Sequence, residues 1–459
     1  KIFLCTVSFV IIMVSNGSIA QQTDSLFKKS LFFYENEEYQ MAIPVLNKHI
    51  DKFPTHFEAI ELRGKCYLKT GQDLAAKQDF LKVSGFTKNE SGLLYNLGIV
   101  YDRLLNSDSA IFYFKKYILQ EPSRPEGYIR LSILYMYSTP ELTDSAIYYA
   151  GKAVHADPEN PVNYNFLAMA YYSNNKHKSA LETAMRGIAI DSSISILYRT
   201  AGISSFFLKE YDEAILYFDK AYKLNPEEFT LLDYKIQTIL LQNTKPEQFT
   251  FPLDGEIAFT GISSGSMDKI TASVKDEKSD YFYNTLQHKF RNTPYKMSLD
   301  EFYIFYIGNS FQEGYNPFKK PAQEDKPLGD LNDKAKELED WLFRNPTDFP
   351  LYLNLADIYL EMDNREKYFE NRFKYFGFTE SIKASGNGTS PEKAFLVTDV
   401  NHEYNLMVSL GYKVKGQKRI ELRKQHFDLL SGLDENNNEV LIYFNIDKPL
   451  SIPNGKRKN

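Results

Sequence analysis

The chain has 459 residues, a hydrophobic content of 43%, a charged content of 25% and a formal net charge of -6 at pH 7. This is ordinary globular composition, and the length allows more than one domain. The negative balance excludes the broad basic surface that a nucleic-acid-binding protein presents.

The first twenty residues are typical of a signal peptide. The apolar run Ile2–Val14 is followed by small residues at Ser18 and Ala20, which fit a signal-peptidase site before Gln21. The run is too short to span a membrane comfortably, although a buried N-terminal strand is an alternative. We therefore expect an exported protein, periplasmic or secreted, that is cleaved after Ala20 and has no transmembrane segment afterwards. Only Cys66 would then remain, so no intrachain disulfide can form.

Residues 42 to 226 carry a repeated pattern. Alanines recur every 34 residues, with one interval of 36: Ala42, Ala76, Ala110, Ala146, Ala180 and Ala214. Four of them are followed twelve residues later by a proline: Pro54, Pro122, Pro158 and Pro226. Small residues and tyrosines form a second series upstream: Gly64, Gly98, Ala168 and Gly202, with Tyr67, Tyr101, Tyr135 and Tyr171 three positions further along the pattern. The period divides this part of the chain into six units, at about 23–56, 57–90, 91–124, 125–160, 161–194 and 195–228.

This pattern resembles the tetratricopeptide repeat (TPR), in which each unit is one antiparallel helix pair. In the third unit Gly98 and Ala110 are small where the two helices would cross, and Tyr101 and Phe114 would fill the space beside the crossing. Pro122 cannot continue a helix and ends the unit. The resemblance implies a helical solenoid of about six helix pairs. With the elements predicted after the repeats, we expect a mainly α fold in which the solenoid is followed by a smaller α+β domain that contains a short antiparallel sheet.

The first helix of each pair lines the concave surface in proteins of the TPR family. Carrying over the family's inward-facing positions gives a predicted partner-binding groove: Tyr95, Asp102, Arg103, Ile129, Met136, Tyr137, Asn165, Met169, Tyr172, Arg199, Phe206 and Phe207. Apolar anchors with a few polar groups suit a peptide or partner protein. An error of one residue in the register would move several of these side chains into the core, and this alternative stays open.

After the repeats the pattern changes to isolated helices and then strands. Periodicity predicts helices at residues 229–242, 280–290, 299–307, 331–343, 351–362 and 365–383. Strands are predicted at residues 394–400, 418–429 and 439–447, with a turn around residues 434–438. Between the first two strands Asn401 is expected to cap a short helix, His402–Leu410.

The last part of the chain carries a second resemblance. Several short motifs occur in order: Tyr303, Tyr306-Ile-Gly308, Tyr315-Asn-Pro317, Ser385-Gly-Asn-Gly-Thr389, His402-Glu-Tyr404 and Val440-Leu-Ile-Tyr-Phe444. Together they are similar to a domain of unknown function that follows signal peptides in exported Bacteroidota proteins. The resemblance covers about Asp280 to Pro449 and implies a location and a domain boundary, but no activity.

These observations predict the following domain map: a signal peptide at 1–20, the TPR solenoid at 21–242, a linker or extended segment at 243–278, an α+β domain at 279–449 and a tail at 450–459.

Two stretches of the C-terminal part have residue types used in catalysis. The glycine-rich segment Ser385–Thr389 could hold an anion, but it leads from a helix towards a strand and lacks the lysine of a phosphate loop. The pair His402–Glu403 lacks the second histidine of the zinc-protease motif. Asp399, His426 and Asp428 could still converge with this pair in space.

We therefore expect an exported, non-catalytic scaffold or adaptor that binds a peptide or partner protein in its repeat groove, with no cofactor and no metal. The alternative is a hydrolase-like enzyme or small-ligand binder with its site near Ser385–Thr389 and His402–Glu403. The sequence does not determine the partner or the oligomeric state.

Overall fold

A computed structural model of the chain describes residues 25–137, 143–244, 249–250, 258–259, 267–317 and 330–447. The predicted signal peptide, the tail at 450–459 and half of the predicted linker lie outside these residues. The chain divides into two compact units, Lys1–Ser204 and Ser205–Asn459. The boundary predicted at residue 242 concerns the end of the repeats, which need not coincide with the end of a compact unit, and it stays a prediction.

The first unit consists of helices. They are α1 (25–35), α2 (Tyr39–Lys52), α3 (Phe57–Lys69), α4 (Asp73–Val83), α5 (Glu90–Arg103), α6 (Ser107–Gln120), α7 (Pro125–Met136), α8 (Thr143–Ala156), α9 (Pro161–Ser173) and α10 (His177–Ile190). Helix α11 (Ser195–Phe207) begins in this unit and ends in the second.

The small residues of the sequence pattern lie where helices cross. The repeat alanines of the first unit are completely buried: Ala42, Ala76, Ala110, Ala146 and Ala180. At Gly98 a Cβ atom would lie 2.6 Å from the Phe114 ring, so a larger residue would force α5 and α6 apart. The predicted fold class, TPR-like helix pairs followed by an α+β region, is confirmed by this packing and by the sheet described below.

The turns inside the helix pairs repeat the same backbone geometry. The second residue after the first helix has a positive φ in five of the six repeats, with values of 60° at Glu37, 76° at Gly71, 56° at Leu105, 54° at Asn175 and 62° at Lys209. The next N–H donates back to the carbonyl five residues earlier, as from Asn106 to Tyr101 at 2.9 Å. This Schellman-type ending satisfies carbonyl groups that a helix end leaves open. It shows that the 34-residue period is a backbone period as well as a sequence period.

The second unit continues with helices and ends in a sheet. Its helices are α12 (Tyr211–Leu224), α13 (Thr230–Asn243), α14 (Met267–Lys275), α15 (Tyr283–Asn292), α16 (Leu299–Asn309), α17 (Leu331–Arg344), α18 (Pro350–Glu361), α19 (Arg365–Lys383) and α20 (Asn401–Ser409). Its strands are β1 (Phe249–Thr250), β2 (Ala258–Phe259), β3 (Phe395–Leu396), β4 (Lys413–Leu422), β5 (Gln425–Leu433) and β6 (Glu439–Asn445).

Strands β3 to β6 form a four-stranded sheet in the order β3-β6-β5-β4. Strand β3 pairs parallel with β6, whereas β5 pairs antiparallel with both β4 and β6. The sheet is therefore mixed, with three antiparallel strands and one short parallel edge strand. Phe395, Leu430 and Phe444 extend from it into a core of aromatic side chains supplied by α15, α16, α18 and α19.

Two local predictions in this region were wrong. Residues 418–429 are not one strand, because β4 ends at Leu422 and β5 begins at Gln425. Arg423 and Lys424 both have positive φ, 51° and 68°, which suits a tight hairpin turn that glycine or asparagine usually forms. Asn401 is not a cap either, since it is the first residue of α20 and its own N–H donates to the Asp399 carboxylate at 2.8 Å.

Candidate functional site

The third repeat places its predicted groove residues on helix α5. Tyr95 is half-buried, with its ring 5.7 Å from that of Phe114 and 5.0 Å from that of Tyr117. Asp102 is half-buried and Arg103 is exposed. Arg103 donates to the Leu68 carbonyl at 2.8 Å, so its guanidinium is anchored to the preceding repeat.

The fourth repeat contributes an apolar patch at the end of α7. Ile129 and Met136 are half-buried, and Tyr137 directly follows the helix with 81% of its surface exposed. A large aromatic ring held at a helix end and left open to solvent is a suitable anchor for a partner.

The fifth repeat places one predicted groove residue inside the protein. Asn165 is 1% exposed, accepts a hydrogen bond from the Thr200 hydroxyl at 2.8 Å and lies 3.4 Å from the Met169 sulfur. Its amide therefore ties α9 to α11 and holds Met169, which is half-buried, as are Tyr172 and Arg199. Asn165 can position this surface but does not present its side chain to a partner.

Phe206 and Phe207, the last two predicted groove residues, belong to the second unit. Phe206 is half-buried against the hydrophobic core there, with its ring 6.3 Å from that of Tyr211. Phe207 is exposed. The two rings meet edge to face at 5.3 Å.

The sequence prediction missed an aliphatic row at an equivalent position of four successive repeats. Its members are half-buried and spaced by 34 or 36 residues: Ile99, Ile133, Met169 and Ile203. Only Met169 was included in the predicted groove. The signal that identifies the other three is the repeat period itself, applied to every first helix.

The glycine-rich segment of the second unit is a packed turn. The N–H groups of Asn387 and Gly388 both donate to the Lys393 carbonyl, at 3.0 and 2.8 Å, and the Gly388 carbonyl accepts from Tyr443 at 2.8 Å. Gly388 has a φ of 69°, and a Cβ atom there would lie 2.6 Å from Ile442. The Asn387 and Gly388 N–H groups that would have bound an anion are already bonded to the Lys393 carbonyl, and the Gly388 carbonyl attaches this turn to β6.

His402 is deeply buried at the start of α20. Its Nδ1 lies 2.7 Å from the Tyr306 hydroxyl, and its ring packs 4.4 Å from that of Phe349. Burial lowers the pKa of His402 to about 4, so the imidazole is neutral at pH 7. Its Nε2 has no hydrogen-bond partner within the described part of the chain.

Glu403, the next residue, faces the sheet. Its Oε2 accepts from Gln417 at 3.2 Å, and the same amide donates to Asp428 at 2.6 Å. Arg419 binds Asp428 through two bonds, of 2.9 and 3.0 Å. Burial and the Asp428 charge raise the pKa of Glu403 to about 9. Glu403 therefore keeps its proton at pH 7.

The five polar residues considered in the sequence do not form one cluster. Asp399 and His402 line a small cavity, Glu403 approaches Asp428 on the other side of α20, and His426 pairs with Asp447 at 3.0 Å. No group of three histidine, cysteine, aspartate or glutamate side chains suited to a metal ion occurs among the described residues.

These features define a repeat protein of the TPR type joined to an α+β domain. Residues 141–221 match a family of TPR type, described as "Anaphase-promoting complex, cyclosome, subunit 3". Residues 268–454 match the family described as "Domain of unknown function (DUF4919)". Both resemblances noted in the sequence are thereby confirmed.

Several solved structures are similar to part of the chain. The C-terminal part of a TPR repeat-containing protein from Cytophaga hutchinsonii is 20% identical, with 47% of this chain and 86% of that chain covered and a TM-score of 0.42. MamA from Desulfovibrio magneticus RS-1 is 17% identical, with 38% and 96% covered and a TM-score of 0.34. Likeness at this level carries no information on ligands. No curated protein matches the chain significantly. Among the described residues, no helix is both long and apolar enough to cross a membrane.

Proposed function

We propose that this protein is a non-catalytic scaffold that binds a partner protein or peptide on the first helices of its repeats, in the groove predicted from the sequence. The observation that carries the proposal is the aliphatic row Ile99, Ile133, Met169 and Ile203, which recurs with the repeat period and stays half-buried. A periodic apolar surface matches an extended or helical segment whose side chains recur at regular intervals.

Two side chains at the ends of the helices that carry Ile99 and Ile133 suit binding. Tyr137 adds a largely exposed aromatic ring, and Arg103 adds a positive charge whose position is fixed by the Leu68 carbonyl. Interfaces of moderate size depend on a few such aromatic and arginine anchors. Partner capture at this surface is thus supported by residue types as well as by the repeat fold.

A non-catalytic role fits the residues that the enzyme alternative would use. Within the Ser385–Thr389 turn the N–H groups of Asn387 and Gly388 are bonded to the Lys393 carbonyl, and His402 is buried beneath aromatic rings. We further propose export to the periplasm or beyond, based on the signal-like residues 1–20, which lie outside the described part of the chain.

Site-specific photo-crosslinking tests the binding surface. A photoreactive phenylalanine derivative would replace Tyr137 in the full chain, expressed in the source cells. Tyr148 is the matched control, because it is also an exposed tyrosine (59%) in the same repeat but lies on the second helix, α8. We expect one defined protein to be crosslinked from position 137 and not from position 148.

Affinity measurements with the crosslinked partner complete the test. Tyr137→Ala should weaken binding by about tenfold or more, as loss of a central aromatic anchor does, and Tyr148→Ala should leave it unchanged. Equal crosslinking at both positions, or binding that ignores Tyr137→Ala, would refute the proposed groove. Loss of binding in His402→Ala alone would instead favour the second unit as the site.

A further inference from the structure

A cleft lies among four helices of the second unit. Its volume is about 380 Å³, and its lining comes from the ends of α15 and α17 and from one face each of α18 and α19. Sites that hold a small molecule have this size. Neither the family match nor the proposed scaffold function assigns a role to the cleft.

The floor of the cleft is apolar. Phe290, Leu342 and Leu355 line it and belong at the same time to the hydrophobic core of the second unit. Tyr352 joins them through its ring, because its hydroxyl already donates to the Pro346 carbonyl at 3.1 Å. A ligand with an apolar body can therefore pack on this floor without leaving the tyrosine hydroxyl unpaired.

Two of the three cations that line the cleft are already paired. Lys367 donates to Glu339 at 2.8 Å, and Lys374 donates to Glu370 at 2.5 Å. These glutamates are the two acidic residues of the lining, and the third cation, Arg291, has no carboxylate partner among the residues described. The lining therefore carries one positive charge in excess.

The Arg291 side chain is held in a fixed position at the cleft. Its guanidinium carbon lies over the Phe343 ring, 4.1 Å from the ring centre, and one of its N–H groups donates to the Phe343 carbonyl at 3.0 Å. A guanidinium has five N–H groups, so most of them remain for a ligand. Its planar fork matches a carboxylate, which it can bind through two parallel hydrogen bonds.

Charge and shape together define a class of ligand. We propose that this cleft binds a small monocarboxylic acid with an apolar body, whose carboxylate pairs with Arg291 and whose body lies on the apolar floor. A dianion such as phosphate exceeds the single unpaired charge, and a purely polar acid gains nothing from the floor. Phe343, which is 63% exposed, adds an apolar surface that the body would cover.

Three probes separate the charge of the ligand from its body. 3-Phenylpropionate has both, 3-phenyl-1-propanol has the body without the charge, and propionate has the charge without the ring. Each would be titrated into the full chain at constant ionic strength, and binding would be followed by isothermal titration calorimetry and by saturation-transfer NMR of the probe. We expect saturable binding of 3-phenylpropionate and affinities about tenfold lower, or weaker still, for the other two.

Paired arginine variants locate the site. Arg291→Met keeps an apolar stem over Phe343 but removes the guanidinium, and it should weaken 3-phenylpropionate binding by about tenfold or more. Arg344→Met is the matched control, because Arg344 is an exposed residue at the end of α17 that does not line the cleft, and it should leave binding unchanged. Both variants lose one positive charge, so a non-specific charge effect would appear equally in both.

A third variant, Phe343→Ala, tests the support of Arg291. Because Phe343 is exposed, its loss should leave thermal unfolding nearly unchanged, and thermal unfolding of all three variants establishes that they are folded. Without the ring beneath the guanidinium, 3-phenylpropionate binding should weaken by about tenfold. Lack of saturation with 3-phenylpropionate, equal binding of 3-phenyl-1-propanol, or equal weakening in Arg291→Met and Arg344→Met would overturn the proposal.

Discussion

Replacing Glu403 with glutamine should remove much of the alkaline loss of stability of the second unit. Glu403 and Asp428 are both fully buried, and Gln417 donates to each of them. Arg419 compensates only Asp428 through direct bonds, so ionisation of Glu403 would place a second charge in the same buried space. Glutamine has the shape of the protonated acid and cannot ionise.

The sign and size of the effect follow from the raised pKa. Burial and the Asp428 charge raise the pKa of Glu403 from 4.5 to about 9. Between these values the folded state holds a proton that the unfolded chain releases, so stability falls as pH rises. One proton contributes about 1.4 kcal/mol per pH unit, and between pH 7 and 8.5 the loss is about 2 kcal/mol.

His402 has the opposite effect on the pH dependence of stability at lower pH. It therefore determines the pH range in which the Glu403 effect can be measured alone. Its pKa is lowered from 6.5 to about 4, so the unfolded chain binds the extra proton and stability falls as pH drops below about 6.5. The two groups oppose each other between about pH 4.5 and 6.5. Above pH 7 the Glu403 effect is no longer offset by His402.

Urea unfolding followed by tryptophan fluorescence measures the prediction, because Trp341 lies in the second unit. Unfolding free energies of wild type and Glu403→Gln would be compared from pH 7 to 8.5. The matched control is Glu421→Gln, an exposed position on β4. The variant curve should be flatter than wild type by about 2 kcal/mol over this range, and the control should follow wild type. Parallel curves for all three proteins would refute the assignment of the proton to Glu403.

Two further sets of substitutions test packing and charge. Gly377→Ala should destabilise the second unit by about 1–3 kcal/mol in the same urea assay, since the new Cβ would lie 2.4 Å from the Phe302 ring. Gly151→Ala, a helical position of the first unit with no atom within 4 Å of the added Cβ, should instead stabilise by about 0.5–1 kcal/mol in circular dichroism melting, and an equal loss in both would contradict the packing. Arg63→Met should cost about 3–5 kcal/mol by circular dichroism melting, because it leaves buried Asp79 without its two bonds of 2.7 and 2.8 Å. Adding Asp79→Asn should recover part of this cost, and strictly additive losses would exclude the pair.

The repeats were predictable because their signal is local and periodic. Small residues at 34-residue intervals indicate close helix crossings, and each repeat alanine is buried at such a crossing. The hairpin turn formed by Arg423 and Lys424 could not be predicted, because neither residue is a glycine or asparagine. Its left-handed backbone geometry is imposed by the pairing of β4 with β5.

The sequence also could not predict that the neighbouring residues His402 and Glu403 face different parts of the fold. Adjacent residues on a helix point about 100° apart, so one can face the helices while the other faces the sheet. Which side each one takes depends on Tyr306 and Asp428, which lie far from α20 in the sequence. The predicted groove residues stay a prediction, and Asn165 is the member whose side chain is turned inward.

One helix pair of the second unit has the repeat turn but lacks the aliphatic row. This contrast explains why the binding surface is proposed for the first unit. Helices α18 and α19 are joined by the same turn, with a φ of 55° at Asp363 and a bond of 2.8 Å from Asn364 to the Tyr359 carbonyl. When this helix pair is aligned with the repeats on the turn, Asp357 occupies the position of the aliphatic row, and Asp357 is exposed. A charged side chain there keeps its hydration and gains little from an apolar partner. Repeat geometry alone therefore does not distinguish the two units, and the aliphatic row of the first unit is the feature on which the proposed binding surface rests.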